Sequence, residues 1–296
     1  MPPDRSSTGH PGRGIACVIA GVLCLTISDA LAKWLGTWYA AIQLLFLRGA
    51  IALPLVAALV LWLGGRPALR TQHAKVHLLR GALNVLSACC FYTGLTLLPL
   101  AQATAMAFAA PLFVVALSRP LLKERVQASR WLAAAVGFLG VLIVVQPGSV
   151  DFQAGALLPL GTALGYALMM ITARLIGPAE SMLTTMLYIV VAQVVASAAL
   201  QPWFWVTPAV GHLPAFAGIA LFSTLGLTLL TQGFRIGPAS LVAPFDYFGL
   251  LWAVLFGWLF WRELPSPHTY AGAAIIIGSG VFIAWQAARG SARRAP

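Results

Sequence analysis

Acidic residues are scarce in this chain. Seven aspartates and glutamates stand against eighteen lysines and arginines, and charged residues of both signs make up only 8% of the 296 residues. A soluble globular protein carries about 25% charged residues, so the shortage excludes a water-facing surface over most of the molecule. Histidine is sparse too, with five residues and none in the H-E-x-x-H spacing of a zinc hydrolase. His10 and His73 fall in tail or loop, and His77, His212 and His268 fall at the ends of apolar runs. The four cysteines, Cys17, Cys24, Cys89 and Cys90, lie inside apolar runs with no C-x-x-C spacing and no histidine partner. They read as small, reduced packing residues, and neither a metal site nor a structural disulfide is expected. No Gly-rich phosphate loop opens a soluble helix, and no connecting segment exceeds about a dozen residues. That argues against an ATP-driven machine. An intramembrane enzyme would need an acid/base pair, a nucleophile with its base or a metal set, and no such constellation is present.

Apolar residues are abundant: they form 60% of the chain, and mean hydropathy is +0.89. They gather into ten runs, over roughly 15–35, 39–63, 76–97, 101–121, 129–146, 154–175, 180–200, 213–235, 239–260 and 268–288. Each approaches the 17–25 residues that carry an α-helix across about 30 Å of hydrocarbon. The runs are continuously apolar, where a membrane barrel would alternate, and only helices or closed barrels satisfy the backbone in lipid. The expected fold class is therefore an all-α membrane protein of ten transmembrane helices. The segment Met1–Arg13 is short, polar and rich in proline and glycine, so no cleavable signal peptide is expected.

The net charge of +11 does not point to nucleic acid, because the basic residues are scattered through short loops. Orientation explains them. With the N-terminus inside, all but three of the eighteen basic residues fall at cytoplasmic ends. Lys33 and Arg262 fall outside, and Arg48 lies within a span. The positive-inside rule then puts both termini in the cytoplasm.

The sequence also reads twice. The stretch from Gly94 to Glu124 returns from Gly233 to Glu263 at a constant offset, with Pro99 on Pro238, Lys123 on Arg262 and Glu124 on Glu263. Gly140-Val141 is answered by Gly280-Val281. Five spans per copy is an odd number, so the second copy must enter the membrane upside down. Residues 1–13 are expected as a cytoplasmic tail, 14–146 as the first five-helix repeat, 153–288 as the second and 289–296 as a second tail. Charge editing agrees with the inversion, since Arg125 of the inner copy is answered by Leu264 of the outer one.

Ionisable groups within spans are costly and mark sites by default. Arg48 sits about 13 Å below the outer end of the second span, too deep to snorkel easily. Asp246 sits about 11 Å above the inner end of the ninth, which leaves the two within roughly 6 Å along the membrane normal. Asp29 lies at a depth similar to Arg48 and forms an i,i+4 pair with Lys33. Two readings stay open for Arg48 and Asp29: a structural ion pair between the first two helices, or a clamp for ligand. Asp246 follows Pro244, which removes a helix hydrogen bond and frees a carbonyl, as discontinuous transporter helices do. Asp246, Gly249, Ala253 and Gly257 form a small-residue stripe. Its first-copy match, Ala107, Ala110, Val114 and Ser118, lacks the acid. The stripe serves close helix packing or a face on a central cavity. Trp252 is deep within the ninth span, while most other tryptophans lie at span ends, as interfacial belts do. Trp252 stacks on a ligand or packs in the core. Asn84, Gln102, Gln193 and Gln232 bond between helices or contact substrate.

Several of these stretches resemble the drug/metabolite transporter superfamily, in its bacterial EamA-type ten-helix form. The resemblance covers nearly the whole chain and rests on four features: Ser28-Asp29-Ala30-Leu31-Ala32-Lys33, Phe46-Leu47-Arg48, the paired helix ends Glu124 and Glu263, and Ala243-Pro244-Phe245-Asp246-Tyr247. It implies a carrier of the bacterial inner membrane for a small organic metabolite: amino-acid-like, nucleoside- or cofactor-like, or opine-like. It adds Tyr247 to the substrate or coupling candidates Asp246, Arg48, Asn84, Asp29, Trp252, Gln102 and Gln232. The expected function is secondary transport by alternating access, proton-coupled or driven by the substrate's own gradient. A channel or facilitative pore is the rival class, and an intramembrane enzyme a more distant one. No catalytic residue, metal or cofactor is expected. The expected partners are the bilayer, the substrate, protons and, as an assembly, a second copy of the chain.

Overall fold

A computed structural model describes residues 11–65, 69, 71, 73–122, 127–147, 154–176, 182–236 and 242–292. Helices α1 (Pro11–Leu35), α2 (Ala41–Gly64), α3 (Ala74–Leu97), α4 (Leu100–Ala107), α5 (Ala110–Leu122) and α6 (Ala128–Val145) form the first half. The second half holds α7 (Leu157–Ile176), α8 (Met182–Ala198), the short α9 (Gln201–Phe204), α10 (Leu213–Ile236), α11 (Phe248–Trp261) and α12 (Pro267–Ala292). No strand occurs among the described residues. Among the described residues nine helical stretches are long and apolar enough to cross a membrane, and the apolar Leu183–Ala198 is shorter.

Local chemistry sets several boundaries. Gly65 adopts a positive φ of 63° and returns its N–H to the Leu61 carbonyl, which stops α2. Gln146 closes α6 in the same left-handed way, and Arg262 closes α11 with φ 57°. The discontinuity expected at Pro244 is present, for Ala243–Tyr247 forms a tighter 3₁₀ turn that leads into α11. One break runs against the reading of 101–121 as a single run. The helix divides at Phe108–Ala109, between α4 and α5. Pro111 has no N–H to give the Ala107 carbonyl, so the ladder loses a rung there.

The molecule is inside-out by soluble standards. Trp62, Leu132, Leu63 and Val195 are well exposed on the outside, while Gln43, Gln193, Ser197 and Lys33 are buried within. That suits a hydrocarbon solvent, and the chain is a multi-pass membrane protein. Helix α1 packs most extensively on α10, α6 on α12, α3 on α7 and α2 on α8. Two of these pairs approach through glycine. A Cβ on Gly226 would lie 2.8 Å from the Gly21 carbonyl, and one on Gly272 would lie 2.6 Å from the Gly140 carbonyl. Only glycine allows the backbones so close.

The helix ends define two faces. At the first, which carries Trp34, Lys33 meets Glu263 and the Leu98 carbonyl, and Gln43 of α2 meets Val206. At the second, which carries Trp62, Tyr188 of α8 donates to the Leu69 carbonyl and Ser129 of α6 to Gln286 of α12.

Candidate substrate cavity

Five helices, α2, α3, α7, α8 and α10, surround a cavity of about 260 Å³ lined by Arg48, Asn84, Tyr166, Met186, Gln193 and Thr231 among others. Arg48 lies about two turns below the start of α2, at the Trp34 end. Thr231 and Met186 lie about one turn from the opposite ends of α10 and α8. The cavity thus runs from mid-membrane toward the Trp62 face. A larger apolar groove of about 430 Å³ lies between α1 and α11, lined by Ile27, Leu31, Trp34, Phe256, Phe260 and Trp261. It holds no charged side chain, so it is the weaker place for a polar metabolite.

Arg48, Asn84 and Gln193 are held from behind. Arg48 Nη1 donates to the Tyr92 hydroxyl at 2.9 Å, and Tyr92 is buried. Among the described residues this is one bond out of five possible donors, which leaves most of the guanidinium fork available to a ligand. Asn84 Nδ2 donates to Gln193 Oε1 at 3.1 Å, and Gln193 Nε2 donates to the Leu45 carbonyl at 2.9 Å. This chain of bonds fixes which face of each amide is free. Tyr166 adds a phenol, Ser223, Thr224 and Thr231 add hydroxyls, and Met169 and Met186 supply adaptable apolar wall.

The predicted residues divide. Arg48 and Asn84 line the cavity. Asp29 is half-buried and feels the Coulombic pull of Arg48, but the two do not close to an ion pair, and among the described residues Asp29 has no hydrogen bond. Its i,i+4 neighbour Lys33 turns away and pairs with Glu263 at 2.9 Å. Helical spacing brings Asp29 and Lys33 to one face, but the shorter reach lay across the helix bundle. Asp246 adjoins the cavity without lining it, and its charge acts on both Tyr166 and Tyr247. The Tyr247 ring stands 5.0 Å from Phe108, and its hydroxyl fills the space that a side chain on Gly280 would need.

Three candidates lie elsewhere. Trp252 packs with Val18, Val22 and Val242 between α1 and α11, and its buried indole N–H has no partner among the described residues. Gln102 is half-buried on α4 and does not line the cavity. Gln232 is exposed on α10 beside the cavity-lining Thr231, because one helical step turns the side chain about 100°. Glu124 lies outside the described residues. Sequence reasoning missed Tyr92, Tyr166, Met169 and Met186, whose phenols and thioethers look like any other residues of an apolar run.

A polar cavity between packed apolar helices is what a membrane carrier needs, and comparison with known proteins agrees. The model of the EamA-like transporter family matches residues 12–146 and again 153–285. The chain belongs to this family. It is a transporter, not an enzyme. Among its relatives, the S-adenosylmethionine uptake transporter of Rickettsia prowazekii is 28% identical over 270 residues, covering 91% of this chain and 92% of that one. The riboflavin transporter of Vibrio cholerae is 30% identical over 285 residues, 93% of each chain. A solved crystal structure superposes with a TM-score of 0.62 at 19% identity, covering 93% of this chain and 98% of the other, and so shares the fold. This EamA family member accordingly sits among small-metabolite transporters.

Proposed function

We propose that this protein is a secondary carrier of the bacterial inner membrane that moves a small organic metabolite by alternating access, with its substrate anchored on Arg48. One observation carries the reading: a cavity at mid-helix depth holds a guanidinium with a single hydrogen bond among the described residues, and its lining extends from Arg48 toward one face only. Such a site suits a carboxylate or phosphate-like group on Arg48, with polar contacts at Asn84 and Tyr166 and an apolar body against Met169 and Met186. Amino-acid-like, cofactor-like and opine-like metabolites all satisfy that description. Of the relatives' named substrates, S-adenosylmethionine carries the amino-acid carboxylate this site would take, whereas riboflavin has no anionic group, so the first favours an amino-acid-like or cofactor-like ligand.

The ten-span inverted arrangement, with both termini cytoplasmic, belongs to the same proposal. Helix packing supports it. Under inversion α1 exchanges with α7 and α3 with α10, and the α1–α10 and α3–α7 contacts are both prominent. The offset that takes Gly94 to Gly233 takes Phe108 to Tyr247, and these two rings touch. Contact between matched residues is expected on the axis relating two repeats. In this orientation the Trp34 face is periplasmic and the cavity faces the cytoplasm. The blind outer end favours a carrier over a channel. One chain encloses the whole cavity, so a homodimer would join two complete carriers.

Asp246 is proposed as the coupling or recognition charge. It lies within the 3₁₀ break Ala243–Tyr247, its charge acts on Tyr166, and the matched residue of the first copy is Ala107. Protons are the coupling ion this arrangement suggests. A thermal-shift screen of the purified protein against a metabolite library, beginning with S-adenosylmethionine and riboflavin, tests the reading. An anionic or zwitterionic metabolite should raise the melting temperature of the wild type and not of Arg48→Lys. A ligand that stabilises both equally would remove Arg48 from the site.

A further inference from the structure

Lys33 and Glu263 carry no role in the cavity, yet they make the one salt bridge among the described residues. Lys33 is 6% exposed and sits at the end of α1. Its ammonium meets Glu263 Oε1 at 2.9 Å, donates to the Leu98 carbonyl at 2.7 Å and lies 5.4 Å from the centre of the Trp261 ring. Glu263 Oε2 in turn accepts the N–H of Leu100, the first residue of α4, at 3.1 Å. The pair therefore ties three segments together at the Trp34 face: α1, the turn between α3 and α4, and the chain leaving α11. Two of these belong to the first half of the chain and one to the second.

We infer that the Lys33–Glu263 pair is the latch that holds the Trp34 end of the pathway shut, and that it breaks and reforms in each transport cycle. This inference rests on the carrier reading above. The cavity's lining extends toward the Trp62 face and ends at Arg48, about two turns short of the Trp34 end, so alternation requires the Trp34 end to part. An ion pair with a buried ammonium and a partly buried carboxylate is poorly suited to being a permanent staple, because the cost of desolvation offsets much of the Coulombic gain. The same physics makes it a good latch. Once the end opens and water enters, both charges are solvated and little free energy separates the two states, whereas an oily contact would have to expose apolar surface. Lys33 also has somewhere to go, for Asp29 lies four residues earlier on the same helix without a hydrogen-bond or ion-pair partner among the described residues. Arg262 shapes the latch. Its left-handed backbone ends α11, and the Glu263 N–H folds back to the Gly257 carbonyl at 3.0 Å.

Spin labels at Thr37 and Ser266, both exposed and flanking the latch, would report the opening by pulsed distance measurements on the full chain in lipid nanodiscs, with the four native cysteines replaced. No substrate is needed, so failure to find one leaves this test intact. Glu263→Gln and Lys33→Met should each raise the ratio of long to short distances about tenfold, since each strands a buried charge or its partners. Lys33→Arg, which keeps the charge, should remain closed. The double change Lys33→Met with Glu263→Met should return most of the population to the short distance, because a neutral pair buries without penalty. Should Glu263→Gln fold poorly, Glu263→Asp withdraws the carboxylate by one methylene and should give a smaller shift in the same direction. Single variants with wild-type distances and wild-type melting temperatures would overturn the latch. So would a double variant that stays as open as the singles.

Discussion

Arg48 is the residue on which the proposed site turns, and its setting separates a binding role from a structural one. Its hydrogen bond goes to Tyr92, not to Asp29. Arg48→Lys should therefore fold and insert normally, yet lose at least about tenfold in substrate affinity, since a point charge does not replace a planar fork. Tyr92→Phe should weaken binding less, by about 0.5–1.5 kcal/mol, the worth of one orienting hydrogen bond. Were Arg48 and Asp29 a structural pair, alanine at either position would cut expression and the double change would restore it. Independent single effects in melting temperature and expression are the predicted result. For Asp246→Asn, vesicles should still exchange substrate but fail to accumulate it against a gradient if the acid couples protons. If the acid recognises substrate, binding itself should fall by about 2–5 kcal/mol. Wild-type accumulation by this variant would show that Asp246 does neither.

At the scale of the helix, most of the architecture was legible in hydropathy. The tenth apolar run begins at 268 in the sequence and its helix at Pro267, but the first helix begins at Pro11, four residues before its run, and the ninth run, from 239, becomes regular α-helix only at Phe248. The break at Phe108–Ala109 was not legible. Pro111 stands in an apolar run no different from Pro54, which α2 accommodates inside its helix. Whether a proline bends a helix or divides it depends on the neighbours that take up the freed carbonyl, and sequence does not name those. For the same reason Arg48 could be found and Tyr92 could not. A charge in lipid announces itself, but its partner is set by packing. Glycine gives a direct test of the packing itself. Gly272→Val should destabilise by about 1–3 kcal/mol, because its Cβ would press on the Gly140 carbonyl. Gly278→Ala, with nothing within 4 Å of the added carbon, should be neutral or mildly stabilising. Melting curves of the two variants in one detergent decide the point.

For the whole molecule, charge asymmetry predicts which face looks outward. Gly12 and Gly211 both have open space around a Cβ and lie toward opposite faces, so cysteine is tolerated at each. In cells, with the native cysteines replaced, Gly211→Cys should react with a membrane-impermeant thiol reagent and Gly12→Cys only after permeabilisation. The reverse pattern would invert the protein and make the cavity face the periplasm. The central claim, that a duplicated chain carries its substrate by alternating access through the Arg48 cavity, is tested most directly by counterflow. Proteoliposomes preloaded with unlabelled substrate should accumulate labelled substrate transiently above equilibrium, saturably, and should not do so with Arg48→Lys. Uptake that equilibrates without overshoot, that rises linearly with concentration and that is unchanged in Arg48→Lys would contradict the account.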